Sequence, residues 1–477
     1  MTKPLLFTAF ALLAVLTALS CASGGPAVEA AEPAEAQESA GGTFDLEGIW
    51  QGVLEAGGRS IRLVFRIERQ GDGWQAVLDS PDEGVSGIAV ESVYLEGRDV
   101  RFELPMVAAV YEGEIDQEGG RIVGAWKQGG GSFAVTLKPA EAVEKVRRPQ
   151  DPEPPYPYRE EEVRFENARD GITLAGTLTL PQTGAPFAAA VLISGSGAQN
   201  RNEEVFNHRP FLVMADTLTR RGFAVLRYDD RGVGDSEGNA EAADSRDLAG
   251  DAWAAAAGLL EREDIGAVGF IGHSEGGLIA PMAAVEHPEI AFVVLLAGSG
   301  LPGDELLALQ SRTILAARGV GKAQIDVIDQ ANRRIYDVVK AEPDDAAAAE
   351  EIRSIMKSLG MQDSQIDAQI RGLLAPWMRF FLSYDPRPTL RELRCPVLAL
   401  NGSLDVQVPP EENLGAIREA LQEGGNPNFR VQRLEGLNHL FQHAESGQVE
   451  EYARIEETFA PEALELIAVW LDGVVNP

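Results

Sequence analysis

Hydrophobic and polar residues alternate with a period of two over residues 43–140. Runs such as Ile61–Ile67, Val100–Leu104 and Phe133–Leu137 are separated by glycine-rich turns. Strict alternation is typical of strands with one buried face, and closely spaced turns favour antiparallel neighbours. The pattern predicts about eight strands in a small antiparallel β-domain, closed into a barrel or half-barrel.

From residue 160 onward, short and nearly continuous apolar runs alternate with helical patterns. Ala188–Ile193, Phe223–Tyr228 and Val397–Leu400 are such runs, and a helical pattern over 244–262 lies among them. Strands that are apolar on both sides are typical of a parallel sheet covered by helices on both faces. The fold class predicted for residues 160–477 is therefore α/β, with a mostly parallel sheet.

The alternation stops at about residues 302–384. Helical patterns such as Glu305–Arg318, Lys322–Val339 and Ala346–Leu359 follow one another there with no strand between them. An insertion of this size at one end of a sheet predicts a helical cap over a site at that end. A packing appendage with no role as a lid is the alternative.

Two stretches of biased composition flank the β-domain. Residues 22–42 are rich in Ala, Glu, Gly, Ser and Pro, with almost nothing apolar to bury, which predicts a flexible tether. Residues 141–159 contain the proline-rich segment 149–157, which favours an extended, semi-rigid connector. We place the boundary between the two folded domains in this linker.

Charge and length narrow the classes of partner. The chain has 477 residues, too many for one ordinary core, and its 74 acidic against 41 basic residues leave a net charge of −33. A surface this negative repels phosphate backbones, so we expect no nucleic-acid partner.

The first 21 residues have the pattern of an export signal. Lys3 precedes an apolar run over Leu5–Leu19, which is short for a membrane span. The end of the run, Ala18-Leu-Ser-Cys21, resembles the lipobox of bacterial lipoproteins, in which the cysteine becomes the lipidated first residue. We expect a protein of the bacterial cell envelope, periplasmic or tethered to the outer membrane through Cys21. Ordinary cleavage nearby and an unprocessed anchor helix are the alternatives.

A candidate nucleophile lies at Ser274, within Val268–Ala280. The apolar run there ends in Gly272-His-Ser-Glu-Gly276, and a small apolar segment that favours a helix follows. This is G-x-S-x-G in the strand–turn–helix context that its mechanism requires. A second copy, Gly234–Gly238, follows a charged stretch and precedes a polar one, so its context does not support the same role.

A serine nucleophile needs an imidazole base that is oriented by a carboxylate. Of the five histidines, His439 and His443 follow the last predicted strand, Phe429–Leu434, where this architecture places the base. His439 comes within a few residues of that strand and is the predicted base, with His443 in reserve. The other three have structural or loop interpretations: His208, His273 and His287.

The acid is expected after the penultimate strand, Val397–Leu400. Asp405 lies in the short loop at the carboxyl end of that strand, between the serine and the histidine in chain order. Capping of the next helix is its alternative role. Asp385 lies before the strand and has a structural interpretation.

An oxyanion formed during acyl transfer needs two donors. Glu275, which follows the nucleophile, supplies one backbone N–H. The loop Ser194–Ala198, after the third strand, supplies the other, for which we predict Ser196, with Gly197 as the neighbouring alternative.

From about residue 160 to the end, the chain resembles the α/β-hydrolase superfamily. Its motifs Ile193–Arg201, Leu226–Ser236, Gly272–Gly277 and Leu437–Leu440 are similar to those of EstD-type bacterial esterases, which also carry a β-rich amino-terminal domain. The resemblance implies carboxylic ester hydrolysis, and relatives are often assigned to the S33 serine aminopeptidases. In the loop Ser194–Ala198, a serine stands where many of these enzymes have the histidine of a His-Gly pair.

The sequence thus predicts a serine hydrolase acting on a small-molecule ester through Ser274, His439 and Asp405. It predicts no organic cofactor and no metal, and with only Cys21 and Cys395 no disulfide framework forms. Two alternatives stay open. The same triad could cleave peptides, with the Glu275 carboxylate holding a free amine, or the chain could be a non-catalytic binding protein.

Overall fold

The computed structural model describes residues 45–475, except for short gaps at 57–58, 72, 84, 108, 117–119, 129–130, 142–146 and 362. The predicted export signal, Cys21 and the tether over 22–42 lie outside the described residues. Within the described ranges, none of the helices has both the length and the apolar character needed to span a membrane.

The amino-terminal domain is one nine-stranded antiparallel sheet. The strands are β1 Gly48–Ala56, β2 Arg59–Gln70, β3 Gly73–Ser80, β4 Val85–Val90, β5 Ser92–Glu96, β6 Asp99–Leu104, β7 Ala109–Ile115, β8 Ile122–Gln128 and β9 Gly131–Ala140. Their order in the sheet is β4-β3-β2-β1-β9-β8-β7-β6-β5, so the first and last strands of the domain, β1 and β9, pair with each other.

This sheet curls around an aromatic core. The rings of Phe65 and Phe102 are 4.8 Å apart, and Phe102 stacks on Tyr111 at 5.7 Å. The two edge strands approach each other's neighbours, since β5 lies against β3 and β4 lies against β6. The result is a nearly closed barrel, with nine strands where the sequence predicted about eight.

The second domain is built on an eight-stranded sheet. The strands are β10 Arg159–Asn167, β11 Ile172–Leu180, β12 Phe187–Ile193, β13 Ala224–Tyr228, β14 Ile265–His273, β15 Val293–Leu296, β16 Val397–Gly402 and β17 Phe429–Leu434. Their order in the sheet is β10-β11-β13-β12-β14-β15-β16-β17. The pairs β10–β11 and β11–β13 are antiparallel, and all other neighbours are parallel.

Helices cover both faces of this sheet. Those in the described residues are α1 Pro210–Arg220, α2 Ser245–Leu260, α3 Gly276–Glu286, α4 Gly303–Ala317, α5 Lys322–Ala341, α6 Asp345–Ser358, α7 Asp363–Leu373, α8 Pro376–Ser383, α9 Pro386–Glu392, α10 Pro410–Glu423, α11 Val449–Tyr452 and α12 Pro461–Val475. Helices α2, α3, α9 and α10 pack on one face, and α1 and α12 pack on the other. Because both faces are buried, the central strands are apolar throughout, which confirms the predicted α/β class.

The cap consists of α4 to α8, inserted between β15 and β16. Helices α5 to α8 share a core of their own around residues such as Ile335, Ile352 and Ile370. A second, smaller apolar cluster joins the cap to the sheet domain, where Phe381 of α8 packs with Leu278 of α3. The cap is therefore a separately packed unit that rests on the helix following the predicted nucleophile.

The described part of the linker is held against the second domain. The Arg148 guanidinium donates to the carbonyl oxygens of Phe206 (2.8 Å) and Ile455 (2.8 Å). The Gln150 amide donates to the Phe459 carbonyl (2.7 Å) and accepts from the Thr458 N–H (2.6 Å). Residues 148–150 thus bind the loop that follows β12 and the loop between α11 and α12.

Candidate active site

Ser274 lies at the apex of a sharp turn between β14 and α3. Its φ of 54° is in the left-handed region, which is strained for a residue with a side chain. A Cβ on Gly272 would lie 2.0 Å from the Gly276 carbonyl oxygen, and one on Gly276 would lie 2.1 Å from the Ile193 oxygen. Both positions therefore require glycine, because strand and helix meet too closely for any side chain.

The serine of the second G-x-S-x-G copy has a different environment. The Ser236 hydroxyl donates to the Asp229 carbonyl oxygen (2.7 Å) and accepts from the Ala175 N–H (2.9 Å). The first contact lies within the segment that follows β13, and the second ties that segment to strand β11. Ser236 is a structural residue in this geometry.

The predicted base and acid are paired. His439 Nδ1 lies 2.8 Å from Asp405 Oδ2, and both side chains are buried. The other carboxylate oxygen of Asp405 accepts from the N–H groups of Gln407 (2.8 Å) and Val408 (2.9 Å). A carboxylate held by two backbone donors has a fixed orientation, so it fixes the tautomer and the plane of the imidazole.

The loop that carries His439 packs against the turn that carries Ser274. His273 Nε2 lies 3.0 Å from the His439 carbonyl oxygen, and the two rings are 4.9 Å apart. Among the described residues, no hydrogen bond joins the Ser274 hydroxyl to the His439 ring. Catalytic hydrogen bonds are often long in structures without substrate and tighten when substrate binds. The structure therefore places the loop of His439 against the turn of Ser274, and the two side chains are not hydrogen-bonded to each other.

His443, the alternative base, and Asp385 make other contacts. His443 is exposed, and its ring nitrogens lie 2.9 Å from Glu457 and 2.9 Å from Glu462. The hydrogen bond to Glu457 raises the pKa of His443, although burial opposes the shift. Asp385 caps α9, where it accepts from the Arg387 N–H (3.0 Å). Neither residue contacts the turn at Ser274 in any of the hydrogen bonds described.

The remaining histidines have packing roles. His208 is buried between Thr458 (3.0 Å) and the Tyr452 carbonyl oxygen (2.8 Å), and burial lowers its pKa to about 4. His287 stacks on Trp253 with ring centroids 3.6 Å apart. Both rings are used by these contacts.

The loop after β12 lies directly beside the nucleophile. A Cβ built on Gly195 would lie 3.2 Å from the Ser274 Cβ, and Gly197 has a φ of 96° that favours glycine. Among the described hydrogen bonds, none uses the backbone N–H of Ser196 or of Glu275. Two backbone donors without acceptors therefore flank Ser274, as an oxyanion hole requires.

Sequence analysis did not single out Glu203. Its Oε1 accepts from the Gly195 N–H (2.6 Å) and lies 2.9 Å from His273 Nδ1. Because the carbonyl of His439 can only accept, Nε2 of His273 carries a proton, and the carboxylate requires a proton on Nδ1 as well. Both ring nitrogens of His273 therefore face acceptors, which favours the imidazolium: burial lowers the pKa of His273, but the charge of Glu203, its hydrogen bond and the hydrogen bond to the His439 carbonyl together outweigh burial and raise it. The pattern contained no signal for this pair, since the two residues are 70 positions apart.

Glu275 also has a role beyond its backbone N–H. Its Oε1 accepts from the Ser245 hydroxyl (2.6 Å) and from the Trp377 indole N–H (2.6 Å), and the side chain is buried. Burial raises the pKa of the Glu275 carboxyl. This carboxyl joins the nucleophile turn to α2 and to the cap.

In the residues that the structure describes, no group of three or more His, Cys, Asp or Glu residues is arranged to hold a metal ion. Burial raises the pKa of the Cys395 thiol to about 11, so little thiolate is present at neutral pH.

Comparison with known proteins gives several matches. The esterase EstD of Thermotoga maritima is 26% identical over 267 residues, which cover 56% of this chain and 58% of EstD. An esterase of Pyrococcus furiosus, Pf2001, is 16% identical in sequence, with a TM-score of 0.41, and the match covers 70% of this chain and 99% of that one. Est1E of Butyrivibrio proteoclasticus with bound ferulic acid is 16% identical, with a TM-score of 0.40, covering 66% of this chain and 100% of that one. Structural matches at these scores carry no functional inference.

The model of the alpha/beta hydrolase family matches residues 190–454. This range is more than half of the chain and contains the loop after β12, the turn at Ser274, and both Asp405 and His439. The chain therefore belongs to the alpha/beta hydrolase family.

Proposed function

We propose that this protein is an exported serine hydrolase that cleaves carboxylic esters with Ser274, His439 and Asp405. The observation that carries the proposal is the buried His439–Asp405 pair, 2.8 Å apart, on a loop that packs against the strained turn of Ser274. The similarity to EstD, an esterase by name, supports the choice of an ester as substrate. Because the match spans 58% of EstD, the activity of that protein does not transfer as a whole.

The reaction follows from the positions of these groups. His439 Nε2 takes the proton of the Ser274 hydroxyl as its oxygen attacks the ester carbonyl carbon. The negative oxygen that forms is stabilised by the N–H groups of Ser196 and Glu275. The C–O bond to the alcohol then breaks, and His439 returns the proton to the leaving alcohol. Water, deprotonated by the same imidazole, then attacks the acyl carbon of the acyl-enzyme. The bond to the Ser274 oxygen breaks, His439 returns the proton to that oxygen, and the acid leaves.

Ser274→Ala tests the proposal. We expect the turnover of p-nitrophenyl butyrate to fall by about 10⁴-fold or more, because the nucleophile is lost. A fluorophosphonate probe should label the unmodified protein and not the variant. Ser236→Ala is the matched control, since it removes the serine of the other G-x-S-x-G copy and should still be labelled. Unchanged turnover by Ser274→Ala contradicts the proposal.

Substrate class is tested by comparing an ester with an amide. Glu275 is buried, and its Oε1 already accepts from Ser245 and Trp377, so its carboxyl offers a substrate amine little access, which favours esters over free-amine peptides. We expect p-nitrophenyl esters to be cleaved much faster than aminoacyl p-nitroanilides. Faster cleavage of the anilides would assign the triad to an aminopeptidase.

Export and lipidation at Cys21 form part of the proposal, with support from the sequence alone. Incorporation of labelled palmitate into the full chain, followed by membrane fractionation, tests both points. We expect label in the unmodified protein and none in Cys21→Ala, which should be released from the membrane. Equal labelling of the two proteins contradicts the lipid tether.

A further inference from the structure

The loop that follows β12 is bound at both ends by one buried carboxyl group, that of Asp230. Its Oδ1 accepts from the Ser194 hydroxyl (2.8 Å), and its Oδ2 accepts from the Gln199 N–H (2.8 Å). The N–H of Asp230 in turn donates to the Gln199 carbonyl oxygen (3.1 Å). The Asp230 and Ser194 side chains are both buried. A single residue therefore fixes the separation of the two ends of the loop.

The order of strands in the sheet explains this contact. Strands β12 and β13 are parallel neighbours, so their carboxyl ends lie at the same edge of the sheet. Ser194 is the first residue after β12, and Asp230 is the second residue after β13. The two side chains therefore meet although 36 positions separate them in the chain.

Between its two ends, the loop contacts the nucleophile turn. A Cβ on Gly195 would lie 3.2 Å from the Ser274 Cβ, so the backbone of the loop runs directly beside the candidate nucleophile. The Gly195 N–H donates to Glu203 (2.6 Å), whereas the Ser196 N–H makes none of the hydrogen bonds found in the described residues. The side-chain amide of Gln199 donates to the Ser196 carbonyl oxygen (3.4 Å). Because the Ser196 N–H has no such partner, its direction depends on how the rest of the loop is held.

The Asp230 carboxyl is held by hydrogen-bond donors and not by a cation. The neighbouring Asp229 is paired with Arg201 (2.7 Å), and Arg231 is paired with Asp251 (2.7 Å). Within the described ranges no salt bridge reaches Asp230 itself, and burial raises its pKa to about 8. A buried carboxyl without a cationic partner is costly in free energy, so the stability of the fold does not by itself account for Asp230.

The two contacts of the carboxyl do not require a negative charge. If the carboxyl is protonated, its O–H donates to the Ser194 oxygen while the other oxygen still accepts from the Gln199 N–H. Asparagine carries the same two functions in the same shape, since its amide N–H donates and its carbonyl oxygen accepts. Alanine carries neither. The two substitutions at position 230 therefore separate the effect of the hydrogen bonds from the effect of the charge.

We propose that Asp230 is a positioning residue: by binding both ends of the loop after β12, its carboxyl orients the Ser196 N–H toward the oxyanion that forms when Ser274 attacks. This inference rests on the proposed function, since it takes the Ser196 N–H as an oxyanion donor. Asp230 itself contacts no reacting atom. Its loss should affect the transition state, in which the oxyanion exists, more than the bound ester.

Asp230→Ala, assayed with p-nitrophenyl butyrate, tests the proposal. We expect kcat to fall by roughly 10- to 100-fold, with KM changed by less than about 3-fold, because a displaced donor weakens binding of the transition state. A trifluoromethyl ketone forms a tetrahedral adduct with a nucleophilic serine and carries the same oxyanion, so it should lose affinity by about the same factor as kcat/KM. A role in stability alone would lower the melting temperature and leave the inhibition constant of the folded enzyme unchanged.

Further variants follow the individual hydrogen bonds. Asp230→Asn retains both contacts and should recover kcat to within about 3-fold of the unmodified protein. Ser194→Ala alone should lower kcat by roughly 3- to 10-fold, but in the Asp230→Ala background it should change kcat by less than about 2-fold, because the hydroxyl has already lost its partner.

Asp79→Ala is the matched control. Asp79 is also buried and also accepts from a backbone N–H, that of Gly87 (2.7 Å), but it lies in the amino-terminal domain. Its loss should leave kcat and the affinity for the trifluoromethyl ketone unchanged.

Each outcome decides one point. If Asp230→Ala folds and keeps both kcat and inhibitor affinity, the positioning role is wrong while the esterase assignment stands. The role is also wrong if Asp230→Asn is as impaired as Asp230→Ala, or if Ser194→Ala costs as much in the Asp230→Ala background as alone. Should Asp230→Ala not fold, an unchanged kcat in Ser194→Ala overturns the role by itself. Retained turnover by Ser274→Ala is a separate result, which defeats the proposed function.

Discussion

Two buried carboxylate–imidazole pairs lie side by side in this protein, and they differ in how many ring nitrogens are used. In the Asp405–His439 pair, Nδ1 lies 2.8 Å from the carboxylate, and Nε2 makes no hydrogen bond within the part of the chain that the structure describes. In the Glu203–His273 pair, Nδ1 lies 2.9 Å from the carboxylate and Nε2 lies 3.0 Å from the His439 carbonyl. The first imidazole has a nitrogen to exchange a proton with substrate, and the second has none.

The comparison shows that residue type and burial do not distinguish a base from a structural cation. His439 and His273 are both buried, both are paired with a carboxylate, and their rings are 4.9 Å apart. A neutral imidazole with one free nitrogen is a general base, whereas an imidazolium with both protons donated is a fixed connection. We therefore propose that His439 transfers the proton, and that the Glu203–His273 pair holds Gly195 and the His439 loop in position.

Removing the base should have the largest effect. His439→Ala leaves Ser274 without a proton acceptor, and we expect kcat/KM for p-nitrophenyl butyrate to fall by about 10⁵-fold. His443→Ala is the matched control, because that histidine is also paired with carboxylates but lies at the surface, and it should retain activity within about 2-fold. A large loss in the control and none in His439→Ala would exchange the two assignments.

Asp405→Asn should have the second largest effect. The amide keeps the size of the carboxylate but favours the wrong tautomer of His439, which in a comparable triad costs about 10⁴-fold in kcat. We expect a loss of that order without a change in melting temperature. An intact kcat would show that the orientation of His439 does not depend on Asp405.

Breaking the Glu203–His273 pair should lower kcat by a smaller factor. In Glu203→Gln the carbonyl of the amide still accepts one hydrogen bond, but the charge that stabilises the His273 imidazolium is lost. A shift of about 1 Å in the Gly195 loop or the His439 loop would lower kcat by roughly 10- to 100-fold. Steady-state kinetics measure this loss, and a decrease equal to that of His439→Ala would show that Glu203 takes part in proton transfer.

The smallest expected effect is a pH-dependent difference in stability. Because Glu203 outweighs burial and raises the pKa of His273 in the folded state, protonation of His273 stabilises the fold. This contribution is fully present below the unfolded pKa of about 6.5 and is lost as pH rises through the higher folded value. The free energy of unfolding of the unmodified protein should therefore exceed that of His273→Gln more at about pH 6 than at about pH 9. Denaturant titrations at the two pH values measure the difference, and a constant gap would show that His273 is neutral.

The sequence by itself determined the elements whose signal is local. The alternation over 43–140, the apolar strands from 188 onward and the glycines at 272 and 276 are patterns within short segments, so the β-domain, the parallel sheet and the nucleophile turn follow from them. Chain order also placed Asp405 and His439 after their strands. These inferences needed no knowledge of which distant side chains meet.

The tertiary structure decided what depends on contacts between distant segments. Glu203 and His273 are separated by 70 positions, and Trp377 and Glu275 by 102, so neither hydrogen bond leaves a trace in local periodicity. The count of nine strands in the β-domain, against about eight predicted, likewise became clear only from the pairing between strands. A buried charge is stable only where the fold brings its partner, and that condition is met by packing in three dimensions and not by the order of residues.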